Sequence, residues 1–97
     1  MKTRVEWSAQ VERFVLAQAP EPRRHLRLAI RHLAEDAGDL KPLVDDLRGY
    51  SRLRVGPYRV IYREDSKMGQ RLIKCLFAER RNVVYELFTE MLLDDLG

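Results

Sequence analysis

The chain has 97 residues, a formal net charge of +3 and a hydrophobic fraction of 45%. This length suits one domain, and this hydrophobic fraction argues against disorder. Cys75 is the single cysteine, which excludes an intrachain disulfide, and no cysteine or histidine cluster has metal-site spacing, so neither metal nor cofactor is expected. The sequence lacks both a signal peptide's apolar core and a membrane-length apolar run, which predicts a cytoplasmic protein without membrane association.

The first part of the sequence predicts one strand and two helices. Apolar and polar residues alternate over residues 3–7, which is typical of a short strand, and Ser8 is suited to cap a following helix. Helical spacing over residues 9–17 ends before Pro20 and Pro22. A second helix is expected to begin there, because proline is tolerated in the first turn of a helix and not in its interior.

The second part predicts a loop, three strands and a final helix. Residues 36–51 are rich in turn formers and are interpreted as a loop. Residues 52–55 and 58–63 are β-prone and are separated by a Gly-Pro turn, which indicates a hairpin. Residues 72–78 form a third apolar run, and helical spacing returns over residues 84–92. Four loop residues are expected to contact the core: Leu40, Leu43, Val44 and Leu47.

The predicted order β-α-α-β-β-β-α defines an α+β domain spanning residues 1–97. In it, an N-terminal helical hairpin packs on one face of an antiparallel sheet. The other face of the sheet is expected to be partly uncovered. Any side chains that the strands direct to that face are therefore available to a partner.

Positive charge is concentrated in the predicted hairpin and the residues that follow it. Ten basic residues lie between residues 48 and 81, against three acidic ones. Strand alternation places Arg52, Arg54 and Arg59 on one face, and Arg80 and Arg81 are expected to reach the same surface. Converging guanidinium groups repel each other unless an anion lies between them, which points to phosphate. The alternative is a solvated sheet face whose charges prevent aggregation.

Three motifs resemble the RelE/ParE superfamily of bacterial type II toxins. They are L-R-G-Y at residues 47–50, R-L-R-V-G-P-Y-R-V-I-Y at residues 52–62 and E-R-R-N-V-V-Y at residues 79–85. The resemblance extends over essentially the whole chain and implies an antiparallel sheet clasped by a helical hairpin. It also implies a cognate antitoxin, whose C-terminal segment would cover or distort the basic face.

Many RelE-like toxins cleave mRNA in the ribosomal A site, and the resemblance implies the same activity here. The 2′-hydroxyl then attacks the adjacent phosphate, which requires cations around the phosphate, a base and an acid. The resemblance assigns Arg59, Arg81 and Tyr85 to the site. Arg52 and Arg54 stand where RelE has lysines, and they are poor proton acceptors because arginine stays protonated. We nominate Glu79 as the base and Tyr85 as the acid, and further RNA contacts are expected from Arg48, Arg63 and Arg80.

The same residues also allow other interpretations. Glu79 is equally suited to form an ion pair with Arg80. Tyr85 is equally suited to be a core residue that packs the last helix onto the sheet. The arginines in place of lysines, and the lack of an obvious base, favour a ParE-like inhibitor of DNA gyrase without a catalytic site. A third hypothesis is a toxin-fold module that has lost activity and binds nucleic acid.

Overall fold

A computed structural model describes residues 2–96 of the chain. Within these residues, five strands, three α-helices and two short 3-10 helices follow one another. In chain order they are β1 (Arg4–Trp7), α1 (Ala9–Leu16), α2 (Pro20–Arg31), the 3-10 helix His32–Glu35, β2 (Asp39–Pro42), the 3-10 helix Asp45–Leu47, β3 (Ser51–Val55), β4 (Tyr58–Lys67), β5 (Gln70–Arg80) and α3 (Val84–Leu96). None of these helices is both long enough and apolar enough to cross a membrane.

The five strands form one sheet in the order β1-β5-β4-β3-β2. The predicted α+β class is confirmed, with two differences in the sheet. First, β1 pairs with β5 in parallel, whereas the other neighbouring pairs are antiparallel. Second, Asp39–Pro42, predicted as part of a loop, is a strand paired with β3. Its Asp, Lys and Pro residues are uncommon in strands, but proline is tolerated at a sheet edge, where β2 lies.

The helices α1 and α2 pack on one face of the sheet over the main core. Ser8 caps α1 by accepting a hydrogen bond from the Val11 N–H, at 3.1 Å, and its hydroxyl donates to the Leu76 carbonyl at 2.9 Å. These contacts hold α1 against β5. The buried residues of this core are Val11, Val15, Leu26, Ile30, Leu33, Leu53, Tyr58, Val60, Tyr62, Ile73, Cys75 and Ala78.

The opposite face of the sheet is covered in part by α3. Val84 and Phe88 of α3 are fully buried against Ile61 and Phe77. The segment before β3 completes this second core through Leu43, Leu47 and Tyr50, and Leu40 packs on the main core. The core contact predicted for Val44 is wrong, since this side chain is 70% exposed. The area around the β3–β4 turn is among the parts that stay exposed, with Arg54, Gly56 and Pro57 all exposed.

A β-bulge in the β4–β5 ladder decides which residues of β5 face α3. Val60 pairs with Ala78 and Ile61 with Phe77, but Tyr62 pairs with Cys75, so the register shifts by one residue. The bulge allows Ala78 and Cys75, which are three residues apart, to face the same core. Beyond the bulge, the last residues of β5, Phe77 to Arg80, pair with the residues of β4 that follow the β3–β4 turn, Ile61 to Tyr58.

Candidate functional site

The strand register aligns four charged residues in one row across the sheet. Asp39 of β2 lies opposite Arg54 of β3, Arg54 lies opposite Arg59 of β4, and Arg59 lies opposite Glu79 of β5. Residues that are directly opposite in a ladder project from the same face of the sheet. The row therefore contains two adjacent arginines with a carboxylate at each end.

Two further basic residues extend this row into a cluster. Arg52 is on the same face of β3 as Arg54, and the backbone N–H of Arg81 donates to the Pro57 carbonyl in the β3–β4 turn at 2.9 Å. We refer to Arg52, Arg54, Arg59 and Arg81 as the arginine cluster. Of the five arginines that the sequence predicted at a phosphate-binding surface, the structure brings these four together, and Arg80 lies elsewhere.

The neighbouring arginines affect the pKa of Arg59. Partial burial, and then repulsion from Arg54, lower the pKa of the Arg59 guanidinium, and Arg52 and Arg81 act in the same direction. Tyr85 acts on it in the opposite sense. A guanidinium whose charge is disfavoured by its neighbours gains most from an anion, so the cluster is suited to hold a phosphate.

Backbone carbonyls orient the Arg59 side chain. Its Nη1 donates to the carbonyls of Gly56 and Tyr58, each at 2.9 Å. Gly56 has a φ of 56°, a conformation that glycine adopts readily, and this turn brings both carbonyls within reach. Because a guanidinium has more N–H donors than these two bonds use, Arg59 can still bind an anion in a fixed orientation.

Arg52 is held by Asp39. Its Nη1 donates to the Asp39 backbone carbonyl at 2.9 Å and to Asp39 Oδ1 at 3.1 Å, and its side chain is 16% exposed. Arg54 is 51% exposed and approaches Asp39 Oδ2 less closely, at 3.9 Å. Sequence reasoning missed Asp39 as a site residue. No local signal identified it, because the residue was assigned to a loop.

Glu79, the nominated base, lies next to Arg59 in the row. Its Oε1 accepts a hydrogen bond from the backbone N–H of Arg80 at 3.0 Å. The Arg80 guanidinium lies 5.6 Å from the centre of the Tyr58 ring, on the side of the sheet that α1 and α2 cover. The structure therefore places Arg80 away from the arginine cluster and leaves Glu79 beside it.

Tyr85 is at the start of α3 and is 36% exposed. The neighbouring Val84 and the more distant Phe88 seat this helix on the sheet, so Tyr85 is not the residue that anchors it. Its partly exposed ring, which raises the pKa of Arg59, is suited to stack on a base or to donate a proton.

The two remaining predicted contacts lie outside the cluster. Arg63 is exposed on β4, four residues beyond Arg59, which corresponds to about 13 Å along a strand. Arg48 is exposed and follows the 3-10 helix Asp45–Leu47, where its backbone N–H donates to Asp45. The structure does not group either of them with the four clustered arginines.

A separate depression lies at the opposite edge of the sheet, beside β1. Two adjoining hollows of about 410 and 270 Å³ share Trp7 and Arg27 among their lining residues. The larger one also contacts Val5 and Arg31. This groove is partly apolar and partly basic, and it is distinct from the arginine cluster.

Comparison with solved structures identifies proteins of the same architecture. A YoeB/ParE toxin from Agrobacterium tumefaciens has a TM-score of 0.66 at 16% identity, and the match covers 80% of this chain and 98% of that one. The toxin–antitoxin complex RelBE2 from Mycobacterium tuberculosis matches with a TM-score of 0.61 at 23% identity, over 84% of this chain and 100% of that one.

A third match, the archaeal RelE–RelB complex from Pyrococcus horikoshii, has a TM-score of 0.62 at 27% identity and covers 84% of this chain and 97% of that one. No protein-family model and no curated protein matches the sequence. The chain has the RelE/ParE toxin fold, and the structural neighbours support a RelE/ParE-like toxin.

Proposed function

We propose that this protein is the toxin of a type II toxin–antitoxin system and that it cleaves mRNA on the ribosome. The observation that carries the proposal is that Arg52, Arg54 and Arg59 project from one face of the sheet, with Arg81 bonded to the adjoining β3–β4 turn and the exposed ring of Tyr85 at the start of α3. Such a surface combines phosphate-binding guanidiniums with an aromatic side chain that can stack on an unpaired base. The substrate is therefore single-stranded RNA in the cytoplasm, where the ribosome presents it.

In the proposed reaction, the 2′-oxygen attacks the adjacent phosphorus and the bond from phosphorus to the 5′-oxygen breaks. The products are a 2′,3′-cyclic phosphate and a free 5′-hydroxyl. Arg59 and Arg81 stabilise the negative charge that develops on the phosphorane oxygens. Glu79, beside Arg59, accepts the proton of the 2′-hydroxyl, and Tyr85 donates a proton to the leaving oxygen.

The test is primer extension on an mRNA held in programmed bacterial ribosomes. Arg59→Ala and Arg81→Ala are expected to reduce A-site cleavage by at least about 100-fold, because each removes a cation from the phosphate. Arg24→Ala is the matched control, since it removes an exposed arginine from α2 on the other side of the sheet. Undiminished cleavage by both cluster variants would refute the assignment.

The partner of the proposed toxin is a cognate antitoxin. The neighbours from Mycobacterium tuberculosis and Methanococcus jannaschii are complexes of a toxin with its antitoxin. We expect the antitoxin of this system to cover the arginine cluster with acidic residues, because opposite charges favour association there. The test is co-purification with the product of the neighbouring gene. The complex should dissociate in 1 M salt, where the Debye length falls to about 3 Å and charge attraction is screened.

A second candidate function is inhibition of DNA gyrase. It is favoured by the engagement of both carboxylates in the charged row: Asp39 contacts Arg52, and Glu79 accepts the Arg80 N–H. A cluster whose carboxylates are so engaged can bind an anionic surface without moving a proton. A DNA supercoiling assay tests this alternative. Normal supercoiling by gyrase in the presence of excess protein would exclude it.

A further inference from the structure

One of the two carboxylates in the charged row, that of Asp39, contacts two arginines at once. Asp39 is on the edge strand β2, directly opposite Arg54 and one pleat away from Arg52, on the same face of the sheet. One of its carboxylate oxygens accepts from Arg52 at 3.1 Å and the other is 3.9 Å from Arg54. Asp39 is therefore a counter-ion for two arginines of the cluster.

The two contacts differ in strength. Arg52 is bound through both the backbone carbonyl and the carboxylate of Asp39, and its side chain is 16% exposed, so its guanidinium has a fixed orientation. Arg54 is 51% exposed and meets Asp39 only at the longer distance. An exposed ion pair with a long contact is weak and is easily exchanged for another anion.

We propose that Asp39 is a positioning residue of the arginine cluster, which fixes Arg52 and holds Arg54 until a substrate phosphate replaces the carboxylate at Arg54. The part of this inference that concerns cleavage rests on the proposed ribonuclease function. The part that concerns RNA binding does not, because binding is measured without any reaction.

The two roles predict effects of opposite sign when the carboxylate is neutralised. In Asp39→Asn the side chain keeps its size and an oxygen acceptor, and the backbone carbonyl still accepts from Arg52. The loss of negative charge removes the competitor for the phosphate, so RNA binds more tightly. The weaker acceptor orients Arg52 less well, so the bound RNA is cleaved more slowly. A residue that served only to stabilise the fold would weaken both properties.

The binding experiment uses a fluorescently labelled single-stranded RNA oligonucleotide titrated with protein at several salt concentrations. Asp39→Asn is expected to bind about threefold more tightly than the unaltered protein at low salt, and the gain should shrink as salt rises. Asp65→Asn is the matched control, because it also removes an ion-paired carboxylate from the sheet, at the far end of β4. If Asp39→Asn binds RNA no more tightly than Asp65→Asn, the counter-ion role is wrong.

The cleavage experiment uses the ribosome assay with Arg52→Ala as a second background. Asp39→Asn is expected to lower the rate for bound mRNA by about tenfold or more, and to have no further effect once Arg52 is alanine. Additive losses in the double variant would overturn the positioning role. If the unaltered protein fails to cleave, the ribonuclease proposal and with it this second role are refuted, while the binding result still decides the first. Thermal unfolding of each variant identifies any loss that comes from misfolding.

Discussion

Arg54 and Arg59 lie directly opposite each other across the β3–β4 hairpin. Directly opposite side chains in an antiparallel pair are close neighbours, and like charges in such positions destabilise a sheet. This pair of like charges lies next to the β3–β4 turn, and the adjacent pair in the same ladder, Leu53 and Val60, is apolar. A phosphate bound between Arg54 and Arg59 would relieve the repulsion, which is consistent with a phosphate-binding site.

Replacing Arg54 by threonine is therefore expected to stabilise the fold while it weakens the proposed function. Threonine suits a strand, and the loss of repulsion should raise the free energy of unfolding by about 0.5 kcal/mol at low salt. Urea unfolding at low and at 1 M salt measures this, since screening at roughly a 3 Å Debye length should abolish the electrostatic part of the gain. A variant that is less stable at low salt would contradict the repulsion.

Gln10 is expected to be important for the attachment of α1 to the sheet. Its side-chain amide donates to the Ala78 carbonyl and its oxygen accepts from the Ala78 N–H, both at 2.7 Å. The pairing of β1 with β5 runs only from Leu72 to Cys75, so Gln10 bonds the backbone of β5 beyond the end of β1. Gln10→Ala should lower the free energy of unfolding by about 1–3 kcal/mol, because it leaves both groups of Ala78 without this partner.

Chemical denaturation of Gln10→Ala beside Glu12→Ala tests this role. Glu12 is an exposed residue of the same helix, so its replacement controls for a change in helix propensity. Equal stability of the two variants would mean that the Gln10 side chain contributes nothing beyond an ordinary surface position.

Cys75 is predicted to be inert in the folded protein. Burial raises the pKa of its thiol to about 12, so the reactive thiolate is scarce at neutral pH. A thiol-specific reagent at pH 8 should label the protein only as it unfolds, with the same urea midpoint as the loss of fold. Rapid labelling of the native protein in buffer would contradict the burial.

The same shift has a consequence for stability at alkaline pH. Because the folded state keeps the proton to a higher pH than the unfolded state, stability should fall once the pH rises above about 9, where the unfolded thiol begins to ionise. The pKa of Tyr62 is also raised, chiefly by burial, and acts in the same direction. In Cys75→Ala, the free energy of unfolding should fall less steeply between about pH 9 and 11, while the native structure is retained. An unchanged pH profile would assign the decline to other groups.

Tyr85 is expected to have two separable roles. Tyr85→Phe retains the ring and should bind RNA normally while its cleavage rate falls by about 100-fold or more, because the proton donor is lost. Tyr85→Ala should in addition weaken RNA binding by about 1–3 kcal/mol, the value of one stacked base. The comparison requires RNA titrations and single-turnover cleavage with both variants. Full cleavage by Tyr85→Phe would remove the tyrosine from the acid role.

Much of the fold was predictable because its signals are local. Ser8 before α1, the prolines that begin α2 and the Gly-Pro turn between β3 and β4 each act within a few residues. The alternation of the hairpin likewise placed Arg52, Arg54 and Arg59 on one face, as the strand register now has them. Local periodicity thus identified most of the arginine cluster.

What the sequence missed depends on contacts between distant segments. The Asp-Leu-Lys-Pro of β2 has poor strand propensity, and it becomes a strand because β3 offers it an edge. The hydrogen bond from Arg52 to Asp39 depends on that pairing, so no local sequence pattern predicts it. Arg80 is the last residue of β5 and faces the side that α1 and α2 cover, whereas Arg81 follows the strand. Their separation could not be predicted without knowing where β5 ends.

The most direct test of the ribonuclease function is primer extension on an mRNA in programmed bacterial ribosomes, with the purified protein present and with the ribosomes omitted as a control. A ribosome-dependent ribonuclease should give strong stops at the A-site codon that require both the protein and the ribosome. Their absence, from a folded protein that still arrests growth, would contradict the ribonuclease function and favour gyrase as the target.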